Sequence, residues 1–370
     1  MSRYVYIAKR EGNNKRGFLI VNPRLGKHIA KNPTKILSMF DDMASLKPKG
    51  MNPSKTLVIG FAETATALGL HYAAVNHCYY MQTTREHVSG NHVYLYFSEE
   101  HSHATVQYIV KDAFARYLED IDRVIFVDDE ITTGKTVLNA IKVMKREFPR
   151  LSLKFGVVSI LNSMTKEQRS VYDKQGIDML YLSKISNESY EEEASSYTLD
   201  GKVSYVKQQE MDEIRLPYAG ASKQLPDTRL GVYGPYYYTS VQDLWYQRYM
   251  KYMKNDVAGK KVLVLGTEEC MYAGLMLARV LYDMVDRVKF HATTRSPISV
   301  SQDVSYPVHH RYNFDSLYEK GRDTFVYDLK QYDIVYVIVE SQYMQNSDGL
   351  KELFVCLKKA GNENIKVIGV

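Results

Sequence analysis

Short apolar runs punctuate an otherwise polar chain at residues 56–59, 93–97, 124–127, 155–160, 262–265 and 334–339. Each has the length and β-branched or aromatic content of a buried strand. Helical periodicity follows several of them, as at 136–147 and 273–282. Strand followed by helix, repeated, predicts a mainly parallel sheet covered by helices, an α/β fold. The stretch 187–227 breaks the rhythm. It holds the acidic run Glu191-Glu192-Glu193, an expected hairpin at Asp200-Gly201, and Pro217, Gly220 and Pro226. We expect the domain boundary near its end, giving domains 1–220 and 221–370.

The pattern also repeats. LVIGFAETATALGL (57–70) parallels VLVLGTEECMYAGL (262–275), with Gly60 beside Gly266 and Glu63 beside Glu269. MQTTRE (81–86) then matches HATTRS (291–296), DRVIFVDDE (122–130) matches DIVYVIVES (333–341), and KFGVV (154–158) matches KVIGV (366–370). The order is the same in both halves. This predicts two copies of one fold, the second without the loop DDEITTGKT.

Composition narrows the class. The 370 residues suffice for two domains, and 45% apolar with 25% charged residues suits a globular protein. The net charge of +5 is spread along the chain without a basic block, so we expect no nucleic-acid partner. Cys78, Cys270 and Cys356 are far apart and form no C-x-x-C pair, which suits reduced thiols in the cytoplasm. The N-terminus lacks an apolar signal core and no apolar run approaches a membrane span, so the expectation is a cytoplasmic protein with no membrane partner.

The candidate chemistry lies in VIFVDDEITTGKT (124–136). Its Gly134-Lys135-Thr136 ending is that of an ATP-binding P-loop, but the glycine required five residues before the Gly-Lys pair is Asp129. The alternative is a strand ending in two carboxylates, where open α/β sheets bind ligands. Thr132-Thr133-Gly134 then turns into a helix, offering hydroxyls, backbone N–H groups and a positive helix end to an anion. Such a unit holds a monophosphate in the loop and the vicinal hydroxyls of an attached sugar on the acids.

Residues 124–136 resemble the phosphoribosyl-pyrophosphate (PRPP) motif of type I phosphoribosyltransferases. NPRLGKHI (22–29), GFAETATALG (60–69), TTRE (83–86) and FSEEHSHA (97–104) are similar to the orotate-phosphoribosyltransferase-like proteins of bacterial tellurium-resistance and stress gene clusters. GTEECMY (266–272) and TTRSPI (293–298) resemble signatures of that subfamily's C-terminal TRSP domain. The resemblance implies a Rossmann-like type I phosphoribosyltransferase domain with a mainly parallel sheet, followed by a second α/β domain; the repeat described above, not the resemblance, carries the expectation that this second domain is a degenerate copy of the first.

By position, the resemblance implies that Asp128 and Asp129 contact the ribose hydroxyls of PRPP. Thr132, Thr133, Gly134, Lys135 and Thr136 would wrap its 5-phosphate, with Lys27 as a further phosphate contact. The turn Phe61, Ala62, Glu63 and Thr64 would face the pyrophosphate, joined by Arg85. His101 and His103, in the segment matching the family's mobile loop, suit a pyrophosphate contact or proton transfer. Mg2+ would be held by Asp128 and Asp129 largely through substrate and water. Thr267, Glu268, Glu269 and Arg295 form a second candidate site, for a hydroxyl, amine, metal-bridged ligand or anion, or else a structural ion pair.

The implied reaction is Mg-dependent displacement of pyrophosphate from PRPP by a nitrogenous base, for a stress-related nucleoside-like metabolite. A PRPP-sensing protein without turnover, or the reverse pyrophosphorolysis, would use the same residues. The base itself is not legible, and a homodimer is the default expectation for the family.

Overall fold

The computed structural model describes residues 5–12, 16–86, 88–98, 106–150, 152–186, 188–216, 225–285, 287–340, 344 and 346–370. By their contacts they form two compact units, and neither is one continuous stretch of chain. The first comprises residues 38–187 and 225–240; the second comprises 1–37, 188–224 and 241–370. A single cut near residue 220 does not describe this division, because apolar side chains from the N-terminal and middle segments belong to the second core. Ala8 and Val21, from the hairpin Tyr6–Lys9 and Phe18–Val21, pack with Ile298, Val300, Val308 and Tyr327, and Val203 joins them.

In the first unit the strands are β1 (Thr56–Gly60), β2 (Tyr79–Gln82), β3 (Tyr94–Ser98), β4 (Val106–Val110), β5 (Arg123–Ile131), β6 (Lys154–Asn162), β7 (Asp178–Lys184) and a short β8 (Val232–Tyr233). The main sheet runs β8-β2-β1-β5-β6-β7, parallel throughout except for the edge strand β8. Helices α1 (Thr66–Val75), α2 (Lys135–Glu147) and α3 (Lys166–Lys174) follow β1, β5 and β6. Val124 to Val127 and Leu57 to Ile59 are all buried, as a sheet covered on both faces requires.

Two local expectations are corrected. The run 93–97 is not a buried sheet strand. It forms β3, paired antiparallel to β4 in a separate hairpin, with Leu95 and Phe97 buried while Val93 and Tyr96 face outward. Its alternation is that of a half-exposed strand. Asp200-Gly201 does not turn a hairpin either. Gly201 N donates to Val300 O (3.0 Å), and Lys202–Ser204 pairs in parallel with residues 310–312.

In the second unit the strands are β9 (Val262–Gly266), β10 (Val288–Ala292), β11 (His310–Asp315), β12 (Asp323–Tyr327), β13 (Ile334–Val339) and β14 (Ile365–Gly369). The order β10-β9-β13-β14 is parallel throughout, while β11 and β12 form an antiparallel pair in another sheet. Helices α4 (Tyr272–Met284) and α5 (Ser347–Lys359) follow β9 and β13. Leu353, Phe354 and Leu357 of α5 bury their side chains with Leu263, Val335 and Val337, each such side chain contributing about 1.5–3 kcal/mol relative to exposure.

Candidate functional site

Strand β5 runs further than its apolar core. Pairing with β6 continues through Asp128↔Ser159 to Ile131↔Asn162, so the acids stand on the strand and not beyond its end. Asp128, Asp129 and Glu130 are half-buried, and Asp129 N donates to Asp128 Oδ1 at 2.9 Å. Past Ile131 the chain bends through Thr132 and Thr133 to Gly134, at φ 75° and ψ 0°, and enters α2. This left-handed conformation favours glycine. Lys135 N is directed to Thr133 Oγ1 (3.3 Å), and Lys135 is exposed. The loop therefore sits at the N-terminus of a 13-residue helix, with hydroxyls and a lysine around it.

A residue absent from the sequence reading supports this loop. Tyr172 of α3 is buried and donates its hydroxyl to Gly134 O at 2.5 Å. A Cβ at Gly134 would stand 2.5 Å from the Tyr172 hydroxyl oxygen. Burial raises the Tyr172 pKa, so it remains a neutral donor. Thr165 and Gln168 form a capping box that starts α3. Nothing in RSVYDKQG marks Tyr172 locally, because its partner is 38 residues away.

Strand β1 ends beside β5, and the GFAET turn is tied to it: Phe61 N donates to Val127 O at 3.0 Å. The Phe61 ring stacks on Phe126 (5.6 Å, 17°) and meets Phe97 edge-on. Ala62 N donates to Thr83 Oγ1 (2.8 Å), Gln107 Nε2 donates to Ala62 O (2.8 Å), and Ala65 N donates to Phe61 O (3.0 Å). The peptide between Ala62 and Glu63 is cis. Two of the turn's four N–H groups, those of Phe61 and Ala62, are thus committed within the protein, which narrows the expectation that this turn presents its donors to a ligand. Glu63 is buried and Thr64 half-buried at the rim.

Arg85 follows the Thr83-Thr84 pair and is half-buried. The pair is fixed by a second unanticipated residue, Arg229. Its fully buried guanidinium donates from Nε to Thr84 Oγ1 (3.2 Å) and pairs with Asp227 (3.4 Å). The acids, the 132–136 loop, the 61–64 turn and Arg85 thus all belong to one unit, around the C-terminal ends of adjacent parallel strands. His101 and His103 lie outside the described residues, as do Glu99 and Glu100. Lys27 belongs to the second unit instead, fully buried, with Nζ donating to Glu268 O at 3.3 Å.

In the second unit, Thr267, Glu268 and Glu269 are buried where β9 meets α4. Thr267 Oγ1 donates to Ile338 O (2.8 Å). Glu268 Oε2 accepts from Arg295 Nε (3.1 Å) and from Arg322, while Oε1 accepts from Ser316 Oγ (2.6 Å). Arg295 also approaches Glu269 at 3.7 Å. Here the sequence-derived residues do converge, on one another. Ser316 and Arg322 were not anticipated.

Residues 4–186 match the family described as "Phosphoribosyl transferase", and residues 238–356 match "TRSP domain C terminus to PRTase_2". No curated protein matches the chain. Among solved structures it is similar to adenine phosphoribosyltransferase from Rhodothermus marinus, at 14% identity over 50% of this chain and 95% of that one, TM-score 0.36. The Trypanosoma brucei adenine enzyme, solved with AMP, pyrophosphate and ribose-5-phosphate, is similar at 14% identity over 49% and 76%, TM-score 0.36. Orotate phosphoribosyltransferase from Aeropyrum pernix is similar at 15% identity over 52% and 93%, TM-score 0.32. With both family matches in the order their descriptions give, the chain belongs to the phosphoribosyl transferase family and carries that family's C-terminal TRSP domain.

Proposed function

We propose that this phosphoribosyltransferase takes PRPP as donor and transfers its phosphoribosyl group to a nitrogenous base, releasing pyrophosphate. The observation that carries the reading is the placement of Asp128 and Asp129 on β5, immediately before a left-handed glycine loop that opens α2. The loop suits the 5-phosphate: N–H groups of a helix start, threonine hydroxyls and Lys135 all favour a dianion. The carboxylates suit the two ribose hydroxyls, which they would fix as acceptors. The 61–64 turn follows β1, which pairs with β5, and Arg85 follows β2 on the far side of β1; both suit the leaving pyrophosphate.

In this scheme the chain's own residues orient the sugar and hold the anion in place before reaction, so that charge developing on the leaving group meets fixed donors. Half-buried carboxylates without a preformed cage fit Mg2+, which binds through one or two carboxylates plus substrate oxygens and water. Among the described residues no group of three or more His, Cys, Asp or Glu is arranged to hold an ion. When bound, Mg2+ would supply charge neutralisation to the pyrophosphate.

We place the product among stress-related nucleoside-like metabolites, on the resemblance to tellurium-resistance clusters. We place the protein in the cytoplasm, on three cysteines outside any disulfide, and expect a homodimer. The test is calorimetric titration of PRPP with Mg2+ into the wild type and Asp128→Asn/Asp129→Asn, followed by pyrophosphate release with candidate bases. Loss of two charged acceptors should weaken PRPP by about 100-fold or more. Wild-type binding that the double substitution leaves intact would refute the assignment. Binding without release across a broad panel of bases would favour a sensor.

A further inference from the structure

The two units share one construction. In each, the first four parallel strands lie in the order second-first-third-fourth: β2-β1-β5-β6 and β10-β9-β13-β14. In each, an antiparallel hairpin stands between the second and third strands in sequence, β3–β4 and β11–β12. The likeness extends to single hydrogen bonds. Gly60 O accepts from Thr83 N at 2.9 Å, and Gly266 O accepts from Thr293 N at 3.0 Å. Thr83 Oγ1 accepts from Ala62 N at 2.8 Å, and Thr293 Oγ1 accepts from Glu268 N at 3.0 Å. Thr84 bridges to Tyr108 of β4, and Thr294 bridges to Phe325 of β12.

The spacing within the two strand pairs also matches. The last pairs are Ser98↔Val106 and Asp315↔Asp323, which leaves residues 99–105 and 316–322 between them, seven in each. Ala62 and Glu268 therefore hold equivalent places, as do Arg85 and Arg295. Val127 and Ile338 pair with the equivalent glycines, so Val339 and Glu340 stand where the first unit has Asp128 and Asp129.

One difference decides what the second copy can do. Glu268, at φ 50°, buries its carboxylate completely. It is held by Arg295, the equivalent of Arg85, and by Ser316 and Arg322 from segment 316–322. Tyr318 of the same segment joins its hydroxyl to Thr267 Oγ1 (2.5 Å) and accepts from Glu340 N (3.1 Å). A carboxylate gripped by two guanidiniums and a hydroxyl is how a protein binds an anion, and here the anion is the chain's own.

We infer that the TRSP domain is an internal copy of the transferase fold whose anion position is occupied by Glu268 and closed by residues 316–322. Each chain then offers one pyrophosphate site, and a second, latent one. The inference rests on reading the 61–64 turn as the pyrophosphate turn.

Titrating inorganic pyrophosphate into full-length wild type and Glu268→Ala by calorimetry tests it. Glu268→Ala should take up one more pyrophosphate per chain than the wild type, and adding Arg295→Met to it should abolish the gain. Should Glu268→Ala not fold, Glu268→Gln, which keeps volume without charge, is titrated in its place. No gain in the folded variant, or wild-type uptake that Arg295→Met removes, overturns the inference. If the first unit's assignment is wrong, the wild type takes up none while the variant still gains one.

Discussion

Gly134 carries the phosphate loop on a backbone conformation that other residues rarely adopt. Its φ of 75° and the Tyr172 ring, whose Cζ would lie 2.8 Å from a Cβ, act against any side chain. Left-handed strain costs about 1–2 kcal/mol, and the overpacking adds about 1–3 kcal/mol. Tyr172→Phe removes only the hydroxyl, and Gly134 O still accepts from Leu138 N at 3.2 Å, so about 1 kcal/mol should go. Urea unfolding should therefore rank Gly134→Ala as clearly more damaging than Tyr172→Phe. Equal effects would mean that the loop relaxes around a methyl group. The glycine was legible as a turn signal, but the tyrosine that fixes it was not, since nothing local distinguishes it from a surface tyrosine.

At the scale of elements, the packing of helix on strand separates the two copies. A Cβ at Gly69 of α1 would stand 2.9 Å from Gly60 Cα, a backbone atom of β1. At Gly274 of α4 the nearest atom is Phe290 Cε2 at 3.1 Å, a side chain, with Gly266 Cα at 3.6 Å. Alanine gains about 1 kcal/mol of helix propensity over glycine. Against backbone that gain is outweighed by about 1–3 kcal/mol of overpacking; against a movable ring it is not. We expect Gly69→Ala to lower stability and Gly274→Ala to be near neutral, as read from denaturant midpoints. The single tryptophan, Trp245, is fully buried and donates to Ala273 O (2.8 Å), so its emission follows the second unit. A loss at Gly274 as large as at Gly69 would contradict this view of the interfaces.

Across the whole molecule, the three cysteines show what burial does to chemistry. Cys78, Cys270 and Cys356 are all buried, and none is in a disulfide. Burial pushes the Cys78 thiol up to about 12 and raises Cys356 as well. The thiolate is the reactive form, so a thiol reagent at neutral pH should label the native protein only on the timescale of opening and all three sites once it is unfolded. Rapid native labelling, with the modified residue read by mass spectrometry, would refute the packing around that cysteine. No helix among the described residues is long and apolar enough to cross a membrane.

The sequence by itself determined the alternation of strands and helices, the acid-and-glycine loop and the internal repeat, because each depends on residues close together in the chain. Apolar period, turn chemistry and helix starts act over a few residues. Only the tertiary structure decided which side chains meet across long intervals. Tyr172 reaches Gly134 over 38 residues, Arg322 reaches Glu268 over 54, and Lys27 reaches the Glu268 carbonyl over 241. It likewise assigned residues 1–37 and 188–224 to the second unit. Burial of apolar area is indifferent to chain position, so neither the composition of a unit nor the partner of a buried charge can be read along the line of the sequence.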